Sequence, residues 1–256
     1  MTRSIDLNCD LGEDSTESGV LREAGVLPSV SSVSVACGMH AGDPHLMRRT
    51  MQAAAAQGIA IGAHPSLADR QHFGRRELPV TPEQAYELVL YQIGAADAIA
   101  RSVGVKLNHV KPHGALYNMA ARDMALARAV CRAVRDFDPE LALYGLSGSD
   151  LIRAGEAHGL TCLAEVFADR TYQPDGSLTP RSRPEALIED ETQAVEQVLH
   201  MIGTGRVRAV NGQEVPVRAD TVCIHGDAPR AGTFAARLRE SLERHGVQVR
   251  PVLRGT

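Results

Sequence analysis

Along the chain, short apolar or β-branched runs alternate with stretches whose apolar residues recur at helical spacing. The runs are Ser4 to Cys9, Val30 to Cys37, Ile59 to Ala63, Val105 to Val110, Leu141 to Leu146, Leu160 to Phe167 and Thr221 to His225. This alternation predicts parallel strands joined by crossover helices. In Thr81-Pro82-Glu83-Gln84 a capping box carries proline at the first helical position, and Val89, Ile93, Ala96, Ala100 and Val103 continue the helix. Ser182-Arg183-Pro184-Glu185 repeats the device and predicts a second such start. Gly58, Gly104, Gly159 and Gly246 each stand between a helical pattern and a strand-like run, where a left-handed cap can close the helix. The opposite connections are longer, at 65–80 and 168–181, and loops of that length in a compact fold are usually functional or disordered. Asn211-Gly212 between β-like runs predicts a hairpin near 205–220, a decoration on the main fold. For 256 residues the expectation is one α/β domain over 1–256, a (β/α) barrel.

Polar residues fall where such a barrel needs explanation. In the first run Ile5, Leu7 and Cys9 share one face and Asp6, Asn8 and Asp10 the other. If the apolar face meets the helices, the polar one points into the barrel, which is costly unless it serves a site. The C-terminal ends of the other runs carry His40, His64, Lys111, His113, Glu165, His225 and Asp227. Side chains from different strands meet at that end of a parallel barrel, so this set is a candidate active-site mouth.

Composition narrows the class. The charged fraction is 23% with a formal net charge of -4, which gives no electrostatic footprint for nucleic acid. No run reaches the length of a membrane span, and the N-terminus lacks the apolar centre of a signal peptide, so the expected location is the cytoplasm, away from membranes. The five cysteines are widely spaced and contain no CxxC; Cys9, Cys37, Cys162 and Cys223 read as small buried hydrophobes in strands.

Each polar candidate has a competing bland role. Asp43-Pro44 is explained as an N-cap followed by a first-turn proline, and Gly38 and Gly42 suit a tight turn. His40 has no such local explanation, whereas His45 lies inside the predicted helix. Lys106 and Lys111 are the only lysines in a chain that otherwise uses arginine, and an ammonium at a strand end can hold a developing oxyanion. Arg70, Arg75, Arg76, Arg170 and Arg181 lie in the two long loops, either closing over an anionic substrate or simply solvated.

The segments DLNCDLGE, ACGMHAGDPHLM, IGAHPS followed by DRQHFGRRE, VKPHGALYN, AEVFADRTYQPDGSLTPR and CIHGDAPRA occur in this order from residue 5 to about 232. Together they resemble the LamB/YcsF family. The resemblance implies a distorted seven-stranded barrel of the glycoside hydrolase/deacetylase type. It also implies ATP-dependent cleavage of 5-oxo-L-proline (pyroglutamate) to L-glutamate, carried out with 5-oxoprolinase subunits B and C. A lactam carbonyl is a poor electrophile, and phosphorylating its oxygen would open the ring carbon to water. The site then needs a base, a cation for the oxyanion and a group for the substrate carboxylate. Asp10, Glu13, His40, His64, Lys111, His113 and Glu165 are the catalytic candidates, with Asp10 or Glu13 as base and Lys111 as electrostatic stabiliser. Asn8, Asp43, Arg70, Arg170, His225 and Asp227 are the substrate-binding candidates. Neither GxxxxGK[ST] nor GxGxxG occurs, so ATP, with magnesium, is expected to bind largely on the partner subunits. Two alternatives stand beside this reading. One is a stand-alone metal-dependent hydrolase with a divalent ion on Asp10, His40 and His64; the other is a non-catalytic partner of subunits B and C.

Overall fold

The two-faced first strand organises the molecule. In the computed structural model, which describes residues 3–225 and 230–255, β1 (Arg3–Leu11) sends Ile5, Leu7, Cys9 and Leu11 into the apolar layer. Its alternate residues Asp6 and Asn8 are fully buried. The chain continues through α1 (Glu17–Ala24), β2 (Ser32–Ala36), α2 (Pro44–Ala55), β3 (Ala60–His64), α3 (Pro82–Ser102) and β4 (His109–Val110). Then come α4 (Gly114–Ala120), α5 (Met124–Phe137), β5 (Ala142–Leu146), α6 (Asp150–Ala157), β6 (Cys162–Phe167) and α7 (Glu191–Thr204). The hairpin β7 (Arg206–Arg208) and β8 (Glu214–Pro216) precedes β9 (Thr221–His225), α8 (Ala231–Arg244) and β10 (Val247–Val249).

Strands β1 to β6 pair in parallel in sequence order, β6 pairs with β9, and β9 returns to β1, closing a seven-stranded barrel surrounded by helices. β10 joins outside the ring, parallel to Arg3–Ile5 of β1. The barrel predicted from the alternation is therefore present. Gly58, Gly104, Gly159 and Gly246 have φ of 69°, 81°, 76° and 74°, the left-handed cap conformation. Thr81 and Gln84 form the reciprocal capping box of α3, and Gly212 sits in the antiparallel β7–β8 turn with φ 86°. Among the described residues, no helix is long and apolar enough to cross a membrane.

Two local expectations are corrected. The run Val105 to Val110 yields a strand at His109–Val110 only. Upstream, Arg254 Nη1 donates to the Leu107 carbonyl at 2.9 Å; at Asn108 the side chain bonds Val252 and Arg254 of the C-terminal segment while the backbone still bonds Ile61 and Ala142. Ser182-Arg183-Pro184-Glu185 does not open a long helix; Pro184–Ala186 makes one 3₁₀ turn, and α7 starts from the Asp190 cap. The Glu185 carbonyl accepts Thr171 Oγ1 at 2.7 Å and the Ala186 carbonyl accepts the Thr171 amide at 3.2 Å, so neither is left for a following helical turn.

The barrel interior is polar, with hydrogen bonds at successive levels. At its base Asp6 accepts from Thr221, Ser31 and Ser32 at 2.6, 2.7 and 2.8 Å, while burial raises its pKa. One level up, His109 Nε2 lies 3.2 Å from Ser34 Oγ and its ring stacks on Tyr144. It also lies directly over Gly62, where an added Cβ would come within 2.2 Å of His109 Nε2, so this level of β3 has room only for glycine. Burial first, and then the nearby Lys111 charge, push the His109 pKa down to about 3.

His109 is therefore neutral in the fold across a range where the unfolded chain, titrating near 6.5, is already protonated. A depressed folded pKa means that stability is lost as pH falls below about 6.5, at up to roughly 1.4 kcal/mol per pH unit for this one group. Urea unfolding at pH 6.5 and pH 5.0 is expected to show His109→Gln losing about 2 kcal/mol less across that interval than the wild-type chain.

Candidate active site

The C-terminal ends of the strands open into a cavity of about 970 Å³, with Asp10, Glu13, His64, Lys111 and His113 in its wall. Two clusters share that wall. The first is built around Lys111, whose ammonium enters the barrel just after β4 and is almost fully buried. Its Nζ lies 2.7 Å from Glu165 Oε1 and 3.0 and 3.2 Å from the two Asp10 oxygens, and it donates to Asn8 Oδ1 at 3.1 Å. Asn8 Nδ2 in turn donates to Glu165 Oε1 and Thr221 Oγ1, at 2.9 and 2.7 Å, linking the ammonium to the Asp6 network. Burial works against the charge on Lys111, but Asp10 and Glu165 outweigh it and hold its pKa well above the usual lysine range. A lysine in this state is a fixed positive charge and not a base. Tyr117 completes the cluster by donating its hydroxyl to Glu165 Oε2 at 2.7 Å; burial, reinforced by Glu165, keeps that hydroxyl protonated.

The second cluster gathers three imidazoles around Glu13. His40 Nε2 is 2.8 Å from Glu13 Oε1, and His64 Nε2 is 2.9 Å from His113 Nδ1. The His40 and His113 rings stack at 3.7 Å, with His64 edge-on to both. Burial first, then the neighbouring histidines, push the pKa values of His40 and His113 well below the normal range, so both rings are neutral. Glu13 Oε1 and one nitrogen from each of His40, His64 and His113 all lie within 4.8 Å of one another, a group able to hold a metal ion. Of the triad expected from sequence, His40 and His64 belong to this group, while Asp10 turns toward Lys111 and Glu13 and His113 stand in its place. Asp10 still reaches the cluster, with Oδ2 3.3 Å from His64 Nε2.

Close backbone approach makes the second cluster possible. At Gly74, with φ 63°, an added Cβ would meet His40 Cβ at 2.8 Å and His113 Cδ2 at 2.9 Å. At Gly114, with φ 56°, it would meet the Gly74 carbonyl at 2.5 Å. The 65–80 loop thus lies directly on the histidines because both its contact points lack side chains. Phe73, left-handed at φ 55°, presents its carbonyl to His113 Nε2 at 2.8 Å. Gln92 pairs with both the amide and the carbonyl of Ser66 at 2.9 Å, fixing the residue whose Oγ lies 3.0 Å from His40 Nδ1. Tyr117, Ser66, Gln92, Gly74 and Gly114 were not singled out by sequence reasoning; the only signal for Gly114 and Tyr117 was their place in HGALY beside His113.

Other candidates take different positions. Asp43 caps α2, accepting the His45 and Leu46 amides at 2.8 and 2.9 Å. Arg70 Nη1 donates to the Gly38 and Gly42 carbonyls at 3.1 and 2.7 Å, clamping the turn that carries His40. Arg170 lines the cavity, but its Nη2 donates to Thr179 O at 2.6 Å and its Nε to Ala186 O at 3.3 Å, tying the 168–181 loop together; burial lowers its pKa to about 10. Asn8 lies beneath the mouth as the bridge described above. The His225 side chain and Asp227 lie outside the described residues. Cys9, Cys37 and Cys223 are buried, and burial raises their pKa, Cys37 to about 12, so they remain thiols; Cys162 is only partly buried.

The sequence pattern of the LamB/YcsF family matches residues 5–255. The chain belongs to that family. It is 56% identical over 249 residues to the A subunit of 5-oxoprolinase from Bordetella parapertussis, covering 97% of this chain and 99% of that one. Its structure superposes on a lactam utilization protein from Thermus thermophilus with a TM-score of 0.89 at 43% identity, over 97% and 100% of the two chains. The catalytic domain of a peptidoglycan N-acetylglucosamine deacetylase from Eubacterium rectale shares the fold at TM-score 0.52 and 13% identity, over 98% and 88%. The barrel thus shares its fold with that deacetylase domain, and both polar clusters stand at its mouth.

Removing one partner from a buried ion pair leaves the other charge uncompensated, at a cost of about 3–5 kcal/mol. Lys111→Met, which keeps the length and loses the charge, is expected to lower stability by that amount in urea unfolding at pH 7.5, with Asp10 and Glu165 left facing each other.

Proposed function

We propose that this chain is the ring-opening component of an ATP-dependent 5-oxoprolinase, cleaving the lactam of 5-oxo-L-proline to give L-glutamate in concert with subunits B and C. The observation that carries the reading is the Lys111 cluster: a buried, permanently charged ammonium facing a cavity, in a chain 56% identical to the A subunit of a 5-oxoprolinase. The similarity to a lactam utilization protein supports the same substrate class.

The chemistry asks for what the wall offers. Amide hydrolysis builds negative charge on the carbonyl oxygen, and a preorganised cation in a site shielded from water stabilises that charge without reorganising. Lys111 is such a cation, held from three sides. The attacking water needs a base within hydrogen-bond reach, and Asp10 and Glu13 are the carboxylates at the mouth. Glu165 is less suited, since it is fully buried behind the cavity wall, bonded by Lys111, Asn8 and Tyr117. Arg75 and Arg181 in the cavity wall suit the substrate carboxylate or a phosphoryl group on the activated ring. ATP with magnesium fits best on the partner subunits, because the sequence carries no phosphate-binding glycine loop. The reading places the chain in the cytoplasm, where ATP is supplied. A purely scaffolding role leaves the buried charges at the mouth unexplained, since buried polar groups cost stability unless they serve a site.

The test is glutamate and ADP release from 5-oxoproline and ATP, with subunits B and C and with or without this chain. Glutamate formation is expected to require this chain. Asp10→Asn and Lys111→Met, compared per folded molecule, are expected to reduce it by about 10²–10³-fold, the usual effect of removing one oxyanion-stabilising or proton-transfer group. Glutamate formation that continues at full rate without this chain would overturn the proposal.

A further inference from the structure

The imidazole cluster turns one nitrogen of each ring outward to the fold and the other inward to a common point. Each histidine spends one ring nitrogen on an acceptor outside the cluster. His113 Nε2 faces the Phe73 carbonyl at 2.8 Å and His64 Nδ1 faces the Lys111 carbonyl at 2.7 Å. A carbonyl can only accept, so both of these nitrogens carry the proton. His40 Nδ1 faces Ser66 Oγ at 3.0 Å, and that hydroxyl donates its own proton to the Leu67 carbonyl at 2.9 Å, so His40 Nδ1 is a donor as well. The other three ring nitrogens, His40 Nε2, His64 Nε2 and His113 Nδ1, are left to face inward together with Glu13 Oε1. There His64 Nε2 lies 2.9 Å from His113 Nδ1 and His40 Nε2 lies 2.8 Å from Glu13 Oε1.

We infer that Glu13, His40, His64 and His113 bind one divalent first-row transition-metal ion of the zinc type, held by three imidazole nitrogens and one carboxylate oxygen. Such an ion would take the four inward ligand atoms into one coordination shell. The donor set selects the class of metal: imidazole suits zinc and its neighbours, whereas magnesium and calcium take oxygen. The spacing agrees. At zinc–ligand distances of about 2.0–2.1 Å, tetrahedral ligand atoms lie about 3.3 Å apart. In this cluster four pairs of ligand atoms lie 2.8, 2.9, 3.4 and 3.9 Å apart. The outward N–H bonds to Phe73, Lys111 and Ser66 are the outer contacts that fix ring orientation in histidine metal sites. Glu13, His64 and His113 line the cavity, which gives the ion its way in. The inference rests on these donor directions and not on the lactam reading.

The experiment uses the full-length chain alone, without substrate. The protein is stripped with a chelator, dialysed, and titrated with zinc chloride and cobalt chloride, following heat, melting temperature and the visible spectrum of the cobalt form. One ion per chain, a rise in melting temperature and cobalt absorption bands of a nitrogen-rich low-coordinate site are expected. Glu13→Gln is expected to abolish the cobalt bands. Ser66→Ala, which touches no proposed ligand atom directly and only frees the His40 ring, is expected to weaken binding by about 10–100-fold. Failure to take up zinc or cobalt, or uptake unchanged in both variants, overturns the site. Because no turnover is read, such a failure is separate from failure of the proposed ring-opening activity, which the glutamate assay decides.

Discussion

The buried ammonium of Lys111 is the constraint around which the barrel interior is arranged. An ion in that position is tolerated only if its partners are charged, close and themselves satisfied. Asp10 and Glu165 supply the charge, Asn8 passes the bonding down to Thr221, and Thr221 reaches Asp6 at the base. Each of these residues sits on a strand next to its partner's strand or across the closed ring, so the seam between β1, β6 and β9 is stitched from inside as well as by backbone bonds. An apolar interior of the same volume would hold a barrel together equally well. This one is polar along its length and opens onto the cavity, which ties the cost of burying charge to the mouth.

Much of this was legible in the chain. Strict alternation in Ile5 to Asp10 disclosed an inward polar face, and the clustering of His40, His64, Lys111, His113 and Glu165 at strand ends placed them at one end of a parallel barrel. Both follow from period-two geometry, which depends on local sequence alone. What stayed hidden depends on contacts between distant segments. Nothing in Glu13 announces His40 as its neighbour, 27 positions away, and residue type cannot tell which nitrogen of a histidine is spent on a carbonyl. The arginines show the same limit. Arg70 and Arg170 have the chemistry of anion binders, yet each guanidinium donates to two backbone carbonyls, of Gly38 and Gly42 and of Thr179 and Ala186 respectively. A guanidinium has five donors and will satisfy a carbonyl-rich turn as readily as a ligand. The misplaced helix start at Ser182 has a related cause: Thr171, earlier in the chain, captured the carbonyls on which a further turn depended.

Asp10 is where the two halves of the mouth meet. One carboxylate has both oxygens within 3.2 Å of the Lys111 ammonium, and Oδ2 also lies 3.3 Å from His64 Nε2. The lysine side is a fixed positive charge with its donors already aimed; the histidine side meets Asp10 through His64 Nε2. A carboxylate between them cannot follow one neighbour without changing its bond to the other. Drawing Asp10 toward the histidines loosens its hold on Lys111, and leaves Glu165 and Asn8 as the remaining anchors of the ammonium. The proposed ion at the histidines and an anionic group at the lysine would therefore be coupled through a single side chain, each biasing which neighbour Asp10 favours. That coupling gives β1 a reason to carry an aspartate at this position, where asparagine would lose the charge that both sides compete for and turn a donor toward the Lys111 ammonium.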